Sequence, residues 1–152
     1  MTISREKCDA ARSPATASTL TRVSVEYTTS LDGVGPEHLD GFFEGWPKPP
    51  SPERHLEILR GSHRVVLARE GDSPQIVGFV NAISDGTLTA FIPLLEVLPT
   101  HRSRGIGTEL VRRLLAELED FYAVDLLCDP DLVPFYERFG MRQGIGMAIR
   151  RP

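Results

Sequence analysis

Residues 97–108 constrain the fold most, because they join an apolar strand to an amphipathic helix through a short basic turn. The stretch reads VLPTHRSRGIGT, and apolar residues then recur every four positions from Ile106 to Leu118. That spacing places them on one helical face. The free N–H groups at such a helix start carry partial positive charge and attract anions. Gly105 and Gly107 would let a ligand approach the backbone closely.

Two arginines, Arg102 and Arg104, add full positive charge beside these amides. The guanidinium group suits phosphate geometry better than an ammonium group does. The pattern therefore predicts a turn that binds a pyrophosphate, and an ordinary loop-to-helix turn is the alternative. The turn has neither the Gly-Lys-Ser/Thr ending of a Walker loop nor the spacing of a dinucleotide fingerprint.

The length and composition of the chain exclude several other classes. Its 152 residues, 41% of them hydrophobic, are enough for one packed domain but not for two. No apolar run is long enough to cross a membrane, and the N-terminus lacks the apolar centre of a secretion signal, so we expect a cytoplasmic protein without membrane contact. Cys8 and Cys128 form neither a disulfide framework nor a metal cage. A net charge of -4 argues against nucleic-acid binding.

The periodicities along the chain predict a mixed α/β domain over residues 21–152, preceded by a flexible tail at 1–20. The turn signal Ser84-Asp85-Gly86 separates two strands of a three-stranded antiparallel meander. The predicted strands are 22–27, 63–69, 76–83, 88–98, 124–128 and 141–149, and the predicted helices are 36–46, 51–60, 106–118 and 132–139.

Residues 102–107, RSRGIG, resemble the Arg/Gln-x-x-Gly-x-Gly/Ala signature of the GNAT superfamily of acyl-CoA-dependent N-acyltransferases. Residues 95–99 are similar to the fourth strand of that family, and residues 134–141, PFYERFGM, are similar to its FYE-x-x-G-F segment. The resemblance covers residues 22–150. It implies a central, mostly antiparallel mixed sheet that is splayed between strands 4 and 5 and flanked by about four helices. It also implies acetyl-CoA as cosubstrate, a small-molecule or peptide amine as acceptor, and no metal.

The resemblance assigns roles to individual residues. Main-chain groups at Leu95 and Val97 would pair with the pantetheine arm, and the Val97 N–H would stabilise the oxyanion. The Tyr136 hydroxyl would protonate the departing thiolate, and its ordinary pKa of about 10 suits a proton donor. An aromatic residue that only packs on the sheet is the alternative for Tyr136. Backbone amides of the turn would hold the pyrophosphate of CoA, namely those of Arg102, Ser103, Arg104, Gly105, Ile106, Gly107 and Thr108.

Two departures from the family pattern concern the chemistry. Asp129 and Leu132 stand where the family often has Asn and Ala. The positions from which other members supply a Glu or His as general base hold Phe91 and Pro93, and neither can take a proton. Glu96 is the nearest titratable residue on that strand and is the candidate base, with a structural carboxylate as the alternative. Because proline donates no N–H, we expect Pro93 at a bulge or a strand edge.

The sequence therefore predicts an N-acetyltransferase that moves an acetyl group to a primary amine in a ternary complex, with Tyr136 as general acid. A non-catalytic acyl-CoA-binding or sensing module on the same fold is the first alternative, since fold does not determine function. An unrelated phosphate or nucleotide binder is the second. The family's frequent dimers make a homodimer one candidate assembly.

Overall fold

In the computed structural model, which describes residues 24–150, five strands form one sheet in the order β1-β2-β3-β4-β5. The first four strands form antiparallel neighbours, and β5 pairs parallel to β4. This confirms the predicted mixed, mostly antiparallel sheet. The predicted tail at 1–20 lies outside the described residues. The strands are β1 (Val25–Thr28), β2 (Arg64–Glu70), β3 (Ile76–Ser84), β4 (Thr89–Val97) and β5 (Ala123–Leu126).

Three α-helices flank the sheet in the described part of the chain: α1 (Pro52–Arg60), α2 (Ile106–Glu117) and α3 (Val133–Glu137). The start of α1 is capped by Ser51, whose hydroxyl accepts a hydrogen bond from the Arg54 N–H at 3.4 Å. These helices confirm three of the four predicted ones, and a 3-10 turn at Pro130–Leu132 leads into α3.

The helix predicted over residues 36–46 is wrong. Only Pro36–His38 forms a helical turn, of the 3-10 type, and the rest is an irregular loop. Gly41, Phe43 and Gly45 have φ values of 85°, 63° and 80°. A right-handed helix cannot continue through such left-handed residues. The resulting loop, residues 39–46, lies over one face of the sheet.

The strand predicted over residues 141–149 is also wrong, because residues 141–150 form no regular structure. A strand needs a hydrogen-bonded neighbour, and the chain makes no ladder between this segment and β5. Alternating apolar residues alone therefore did not produce a sixth strand within one chain.

The core has two layers, one on each face of the sheet, because successive strand residues point to opposite sides. Val66 of β2 belongs to the layer under α2, whereas Leu67 belongs to the layer under α1 and the 39–46 loop. At Gly78 of β3 the helix α2 approaches closely, since an added Cβ would lie only 3.1 Å from a Leu110 methyl group. This contact seats the first turns of α2 against the sheet near the end of β4.

Candidate functional site

Strands β4 and β5 separate halfway along β4. Their pairing ends where Ile92 faces Leu126, whereas β4 continues to Val97 with β3 as its only ladder partner in the described residues. A gap therefore opens beside the second half of β4, as expected for a sheet that is splayed between strands 4 and 5.

A β-bulge at Pro93 marks the point of separation. On β3 the partners of Phe91 and Leu94 are Ile83 and Asn81, so β4 has one extra residue between these pairs. A bulge bends its strand and increases the local twist. The expectation that Pro93 lies at a bulge is confirmed, and the bend turns the rest of β4 away from β5.

Backbone N–H groups of Leu95 and Val97 face the gap. The Leu98 N–H donates to the carbonyl of Val77 on β3 at 2.8 Å. Because alternate residues of an antiparallel strand hydrogen-bond to opposite sides, the N–H groups of Leu95 and Val97 point away from β3. On this side the carbonyl of Val97 already accepts a hydrogen bond of 3.1 Å from the Nε of Arg102. The group of Val97 that can still bind a ligand in the gap is therefore its N–H.

The start of α2 lies next to the end of β4 and has no side-chain cap. Gly105 occupies the cap position with φ of 80°. Because it is a glycine, it offers no side-chain acceptor to the N–H groups of the first turn. Ser103 is also left-handed, with φ of 61°. The first amides of α2, at Ile106, Gly107 and Thr108, therefore lack the carbonyl partners that later helix residues have. An added Cβ at Gly105 would meet no atom within 4 Å, so open space lies in front of this turn.

The basic side chains of the turn are each paired with a carboxylate. Glu70, at the end of β2, accepts hydrogen bonds from His101 Nε2 at 2.7 Å and from Arg104 Nη2 at 2.5 Å. These two partners lower the pKa of Glu70, with Arg104 contributing most. The Nη2 of Arg102 lies 3.7 Å from Glu44 Oε2 of the 39–46 loop. The positive charge of the turn is thus partly balanced before any ligand binds. No sequence signal pointed to Glu70, which precedes Arg104 by 34 residues.

Glu96 is buried under the 39–46 loop, with 7% of its surface exposed. Its Oε2 accepts a hydrogen bond of 2.8 Å from the Phe43 N–H. Burial raises the pKa of Glu96, while this hydrogen bond and the nearby Arg102 oppose the shift. The predicted base is therefore a carboxylate in an apolar setting, on the face of the sheet that carries Leu94.

Tyr136 of α3 is 3% exposed and belongs to the buried cluster that also contains Leu95, Val97 and Ile106. Its ring packs edge-on against Phe135, with the centroids 4.9 Å apart. The structure thus brings the predicted acid into the same layer of the core as the gap-facing half of β4 and the start of α2.

A buried histidine that sequence reasoning left without a role lies beneath the same loop. His55 of α1 is completely buried and packs against the rings of Phe42, Phe43 and Phe79, with centroid distances of 5.3, 4.9 and 4.3 Å. Burial lowers its pKa to about 4, and the Leu39 backbone opposes this only slightly. His55 is therefore uncharged near neutral pH, and its ring packs beneath the 39–46 loop.

The gap and the turn together fit an elongated ligand with an anionic end. The N–H groups of Leu95 and Val97 can pair with an amide-bearing arm, and the uncapped amides of α2 can hold phosphate oxygens. The fold is thus an α/β sheet that is split beside an uncapped helix start.

The family follows from comparison with known proteins. The model of the acetyltransferase (GNAT) family matches residues 31–141, and the chain belongs to this family. A chloroplastic GCN5-related N-acetyltransferase 3 of Arabidopsis thaliana is 43% identical over 68 residues, which are 43% of this chain and 29% of the plant protein. An uncharacterised N-acetyltransferase of Gracilaria tenuistipitata var. liui is 27% identical over 99 residues, 63% of this chain and 54% of its own length. The chain thus spans about half or less of the curated relatives it matches.

Solved structures share the fold over most of the chain. A candidate acetyltransferase from Deinococcus radiodurans R1 has a TM-score of 0.81 and 52% identity, with 90% of this chain and 94% of that chain covered. A GNAT family protein of Streptococcus pneumoniae TIGR4 has a TM-score of 0.66 and 25% identity, covering 85% and 98%. Glucosamine-6-phosphate N-acetyltransferase of Arabidopsis thaliana shares the fold at 19% identity, with a TM-score of 0.62 and coverage of 84% and 98%.

Two further findings concern residues 24–150. None of the helices there combines the length and apolar character needed to span a membrane. These residues also contain no group of three or more His, Cys, Asp or Glu side chains that could hold a metal ion.

Proposed function

We propose that the protein transfers an acetyl group from acetyl-CoA to a primary amine by direct attack in a ternary complex. The observation that carries this proposal is the end of the β4–β5 pairing at Ile92, one residue before the Pro93 bulge. The resulting gap runs from the middle of the sheet toward the uncapped start of α2. It joins a row of strand amides to a helix-terminal anion site, as an acyl-CoA donor requires.

Donor binding is assigned to main-chain groups. The N–H groups of Leu95 and Val97 would pair with the pantetheine arm as if it were a further strand. The amides from Ser103 to Thr108 would surround the pyrophosphate, whereas the N–H of Arg102, also expected there, donates to the Pro99 carbonyl at 3.5 Å. The Arg102 side chain is engaged by the Val97 carbonyl, so its contribution to donor binding is mainly to hold the turn in shape.

The bound thioester would supply an activated acyl carbon for attack by the amine. In the transfer, the C–N bond forms and the C–S bond breaks. The gap-facing N–H of Val97 would stabilise the negative charge that develops on the carbonyl oxygen. The Tyr136 hydroxyl would donate its proton to the departing sulfur, so that CoA leaves as a neutral thiol.

The proton lost by the amine is assigned to Glu96, the only titratable side chain on β4. Its raised pKa supports this role, because a carboxylate with a higher pKa is a better proton acceptor. The loop above it carries Glu44 and Trp46, and this is where we place the acceptor, a small molecule or a peptide with a primary amine.

The decisive experiment measures release of free thiol from acetyl-CoA over a panel of amines, with the wild type and a Tyr136→Phe variant. We expect kcat to fall about 10²-fold in this variant, since the acid is removed, while CoA affinity measured by calorimetry stays unchanged. Tyr122→Phe is the matched control, because Tyr122 is 86% exposed, and its turnover should equal that of the wild type.

Three outcomes would contradict the proposal. If Tyr136→Phe turns over at the wild-type rate, Tyr136 is not the general acid. Tight CoA binding without turnover of any amine would favour a binding or sensing module. Equal calorimetric affinity for CoA and ATP would favour a nucleotide binder, because only CoA has the pantetheine arm that the gap should recognise.

A further inference from the structure

A polar pocket lies at the outer edge of the sheet, where β1 pairs with β2. Its volume is about 350 Å³, which is within the range of small-molecule sites. The pocket is separate from the gap beside β4, because β1 and β4 are three strand spacings apart, or roughly 14 Å at about 4.8 Å per strand. The residues that line it are Glu26, Tyr27, Thr28, Ser30, Asp32 and Arg69.

Arg69, in β2, brings to this pocket a guanidinium group that has no partner in the described part of the chain. Its Nε is buried and makes no hydrogen bond to any of residues 24–150. Its direct neighbour across the β1–β2 ladder is Glu26, and opposite charges at such positions stabilise a sheet when they pair. No salt bridge joins these two side chains, although both line the pocket. A buried donor without an acceptor costs free energy, which a ligand with an acceptor oxygen would recover.

The pocket presents charges of both signs, which restricts the ligand that it can bind. A simple anion would meet the carboxylates of Glu26 and Asp32, and a simple cation would meet the guanidinium of Arg69. Like charges brought together in this way oppose binding. A molecule that carries both a carboxylate and an ammonium group can pair with both signs at once. The guanidinium group also matches a carboxylate in shape, because two of its N–H groups can bind the two oxygens.

Hydroxyl groups hold the loop after β1 in shape and remain available to a ligand. The Ser30 N–H donates to Thr28 Oγ1, and the Asp32 N–H donates to Ser30 Oγ, both at 3.0 Å. These bonds use the hydroxyl oxygens as acceptors, so each O–H can still donate to a ligand carboxylate. Glu26 and Asp32 are exposed, and an ammonium group can therefore reach their carboxylates from solvent.

We propose that this pocket binds a small zwitterion of the α-amino acid class, with its carboxylate on Arg69 and its ammonium group on Glu26 and Asp32. Arg69 and Glu26 lie opposite each other on neighbouring strands, roughly 5 Å apart at Cα, so the charges that they bind must also be close together. In an α-amino acid a single carbon separates the two charged groups. The proposal is independent of acetyl transfer, because the pocket contains none of the residues assigned to the donor or the acceptor.

The test titrates the isotope-labelled full chain with each common L-α-amino acid and follows the backbone amides of residues 25–32 and 69 by NMR. We expect saturable shifts at these amides. Analogues that lack one charged group should bind at least about tenfold more weakly, since each loses a charged hydrogen-bonding pair. For L-alanine these analogues are propionate, which lacks the ammonium group, and ethylamine, which lacks the carboxylate.

Variants of the pocket assign the two charges. Arg69→Gln and Asp32→Asn should each weaken binding by about tenfold or more. Asp32 is an exposed loop residue, so Asp32→Asn keeps the proposal testable even if Arg69→Gln does not fold. Arg64→Gln is the matched control, because Arg64 belongs to the same strand but lies 3.6 Å from Glu117 and outside the pocket, and binding should be unchanged.

Four results would overturn the proposal. The first is the absence of a saturable shift with every amino acid. The second is equal affinity for the amino acid and for one of its singly charged analogues, because only one sign of charge would then be recognised. The third is a set of shifts confined to the 39–46 loop, which would mean that the amino acid binds where the acceptor is placed. The fourth is an NMR contact between the Arg69 side chain and residues 1–23 in the free protein, which would mean that the chain itself fills the pocket.

Discussion

The Glu96 carboxylate accepts a 2.8 Å hydrogen bond from the backbone N–H of Phe43, 53 residues earlier in the chain. Phe43 has a left-handed φ of 63°, which is costly for an aromatic residue. The hydrogen bond therefore stabilises a strained turn of the 39–46 loop and ties it to β4. The same carboxylate is the candidate base, so one side chain would couple the acceptor side of the site to the strand that holds the donor.

Replacing Glu96 by Gln or Ala separates these two roles. Glu96→Gln keeps an oxygen acceptor for the Phe43 N–H but cannot take a proton, so we expect kcat to fall about 10²-fold with little loss of thermal stability. Because burial raises the pKa of Glu96, the acidic limb of the wild-type pH–rate profile should lie above pH 4.5, and the Gln variant should lack it.

Glu96→Ala should lose activity and also lower the melting temperature, because the buried Phe43 N–H loses its partner. If Glu96→Gln turns over at the wild-type rate and only the Ala variant is impaired, Glu96 is a positioning residue and another group takes the proton.

Glu70 supports the turn that is proposed to hold the pyrophosphate. Its two hydrogen-bond partners, His101 and Arg104, flank the left-handed Ser103. Glu70→Gln should raise the KM for acetyl-CoA by about three- to tenfold with kcat nearly unchanged, since exposed ion pairs have modest effects. Glu117→Gln, which removes the carboxylate 3.6 Å from Arg64 at the surface, is the control and should leave KM unchanged. A lower KM in Glu70→Gln would show instead that the carboxylate repels the phosphates.

Much of the fold and part of the site follow from local sequence patterns. The meander, α2 and the Pro93 bulge depend on periodicity and on the missing N–H of proline, and both are visible in the sequence. The 39–46 loop could not be predicted in this way, because the left-handed Phe43 is supported by a carboxylate 53 residues away. The partner of Arg104 is equally remote, since Glu70 belongs to another strand.

The 141–149 prediction fails for a different reason. Periodicity indicates that Ile145, Met147 and Ile149 suit one face of a strand, but it does not say which strand they join. Among residues 24–150 the segment has no hydrogen-bonded neighbouring strand, and the alternation of apolar residues does not supply one.

Gly105 is needed for its backbone conformation and for the open space in front of it. Gly105→Ala should destabilise the fold by about 1 kcal/mol, the cost of a Cβ at left-handed φ, and should also weaken CoA binding by blocking the approach to α2. Gly33→Ala is a matched control, because Gly33 also has positive φ and open space around it but lies in a different loop. Urea unfolding should show a similar loss of stability in both variants. Calorimetry with CoA should show weaker binding in Gly105→Ala only. Equal CoA affinity in the two variants would contradict the proposed anion site.

His55 should make folding stability depend on pH. Its pKa is about 4 in the folded protein and 6.5 in the unfolded chain. Between these values the unfolded chain binds more protons, so the free energy of unfolding decreases as the pH falls from 6.5 toward 4. The full difference corresponds to about 3 kcal/mol. Glu96, whose pKa is raised, acts in the opposite direction, since the folded protein then holds its proton to higher pH.

Urea unfolding of the wild type and of His55→Leu at pH 7.5 and pH 5 isolates the contribution of His55 to the pH dependence of the free energy of unfolding. The contribution of Glu96 is common to both proteins, so the wild type should lose more stability at pH 5 than the variant does. At pH 7.5 the variant should be at least as stable as the wild type, because leucine removes two buried ring nitrogens that have no hydrogen-bond partner among the described residues. His63→Gln, at a half-buried histidine beside Phe121, should keep the wild-type difference between the two pH values. An equal loss in wild type and His55→Leu would mean that His55 gains its proton in the folded state, and that the loop above it opens in acid without unfolding of the domain.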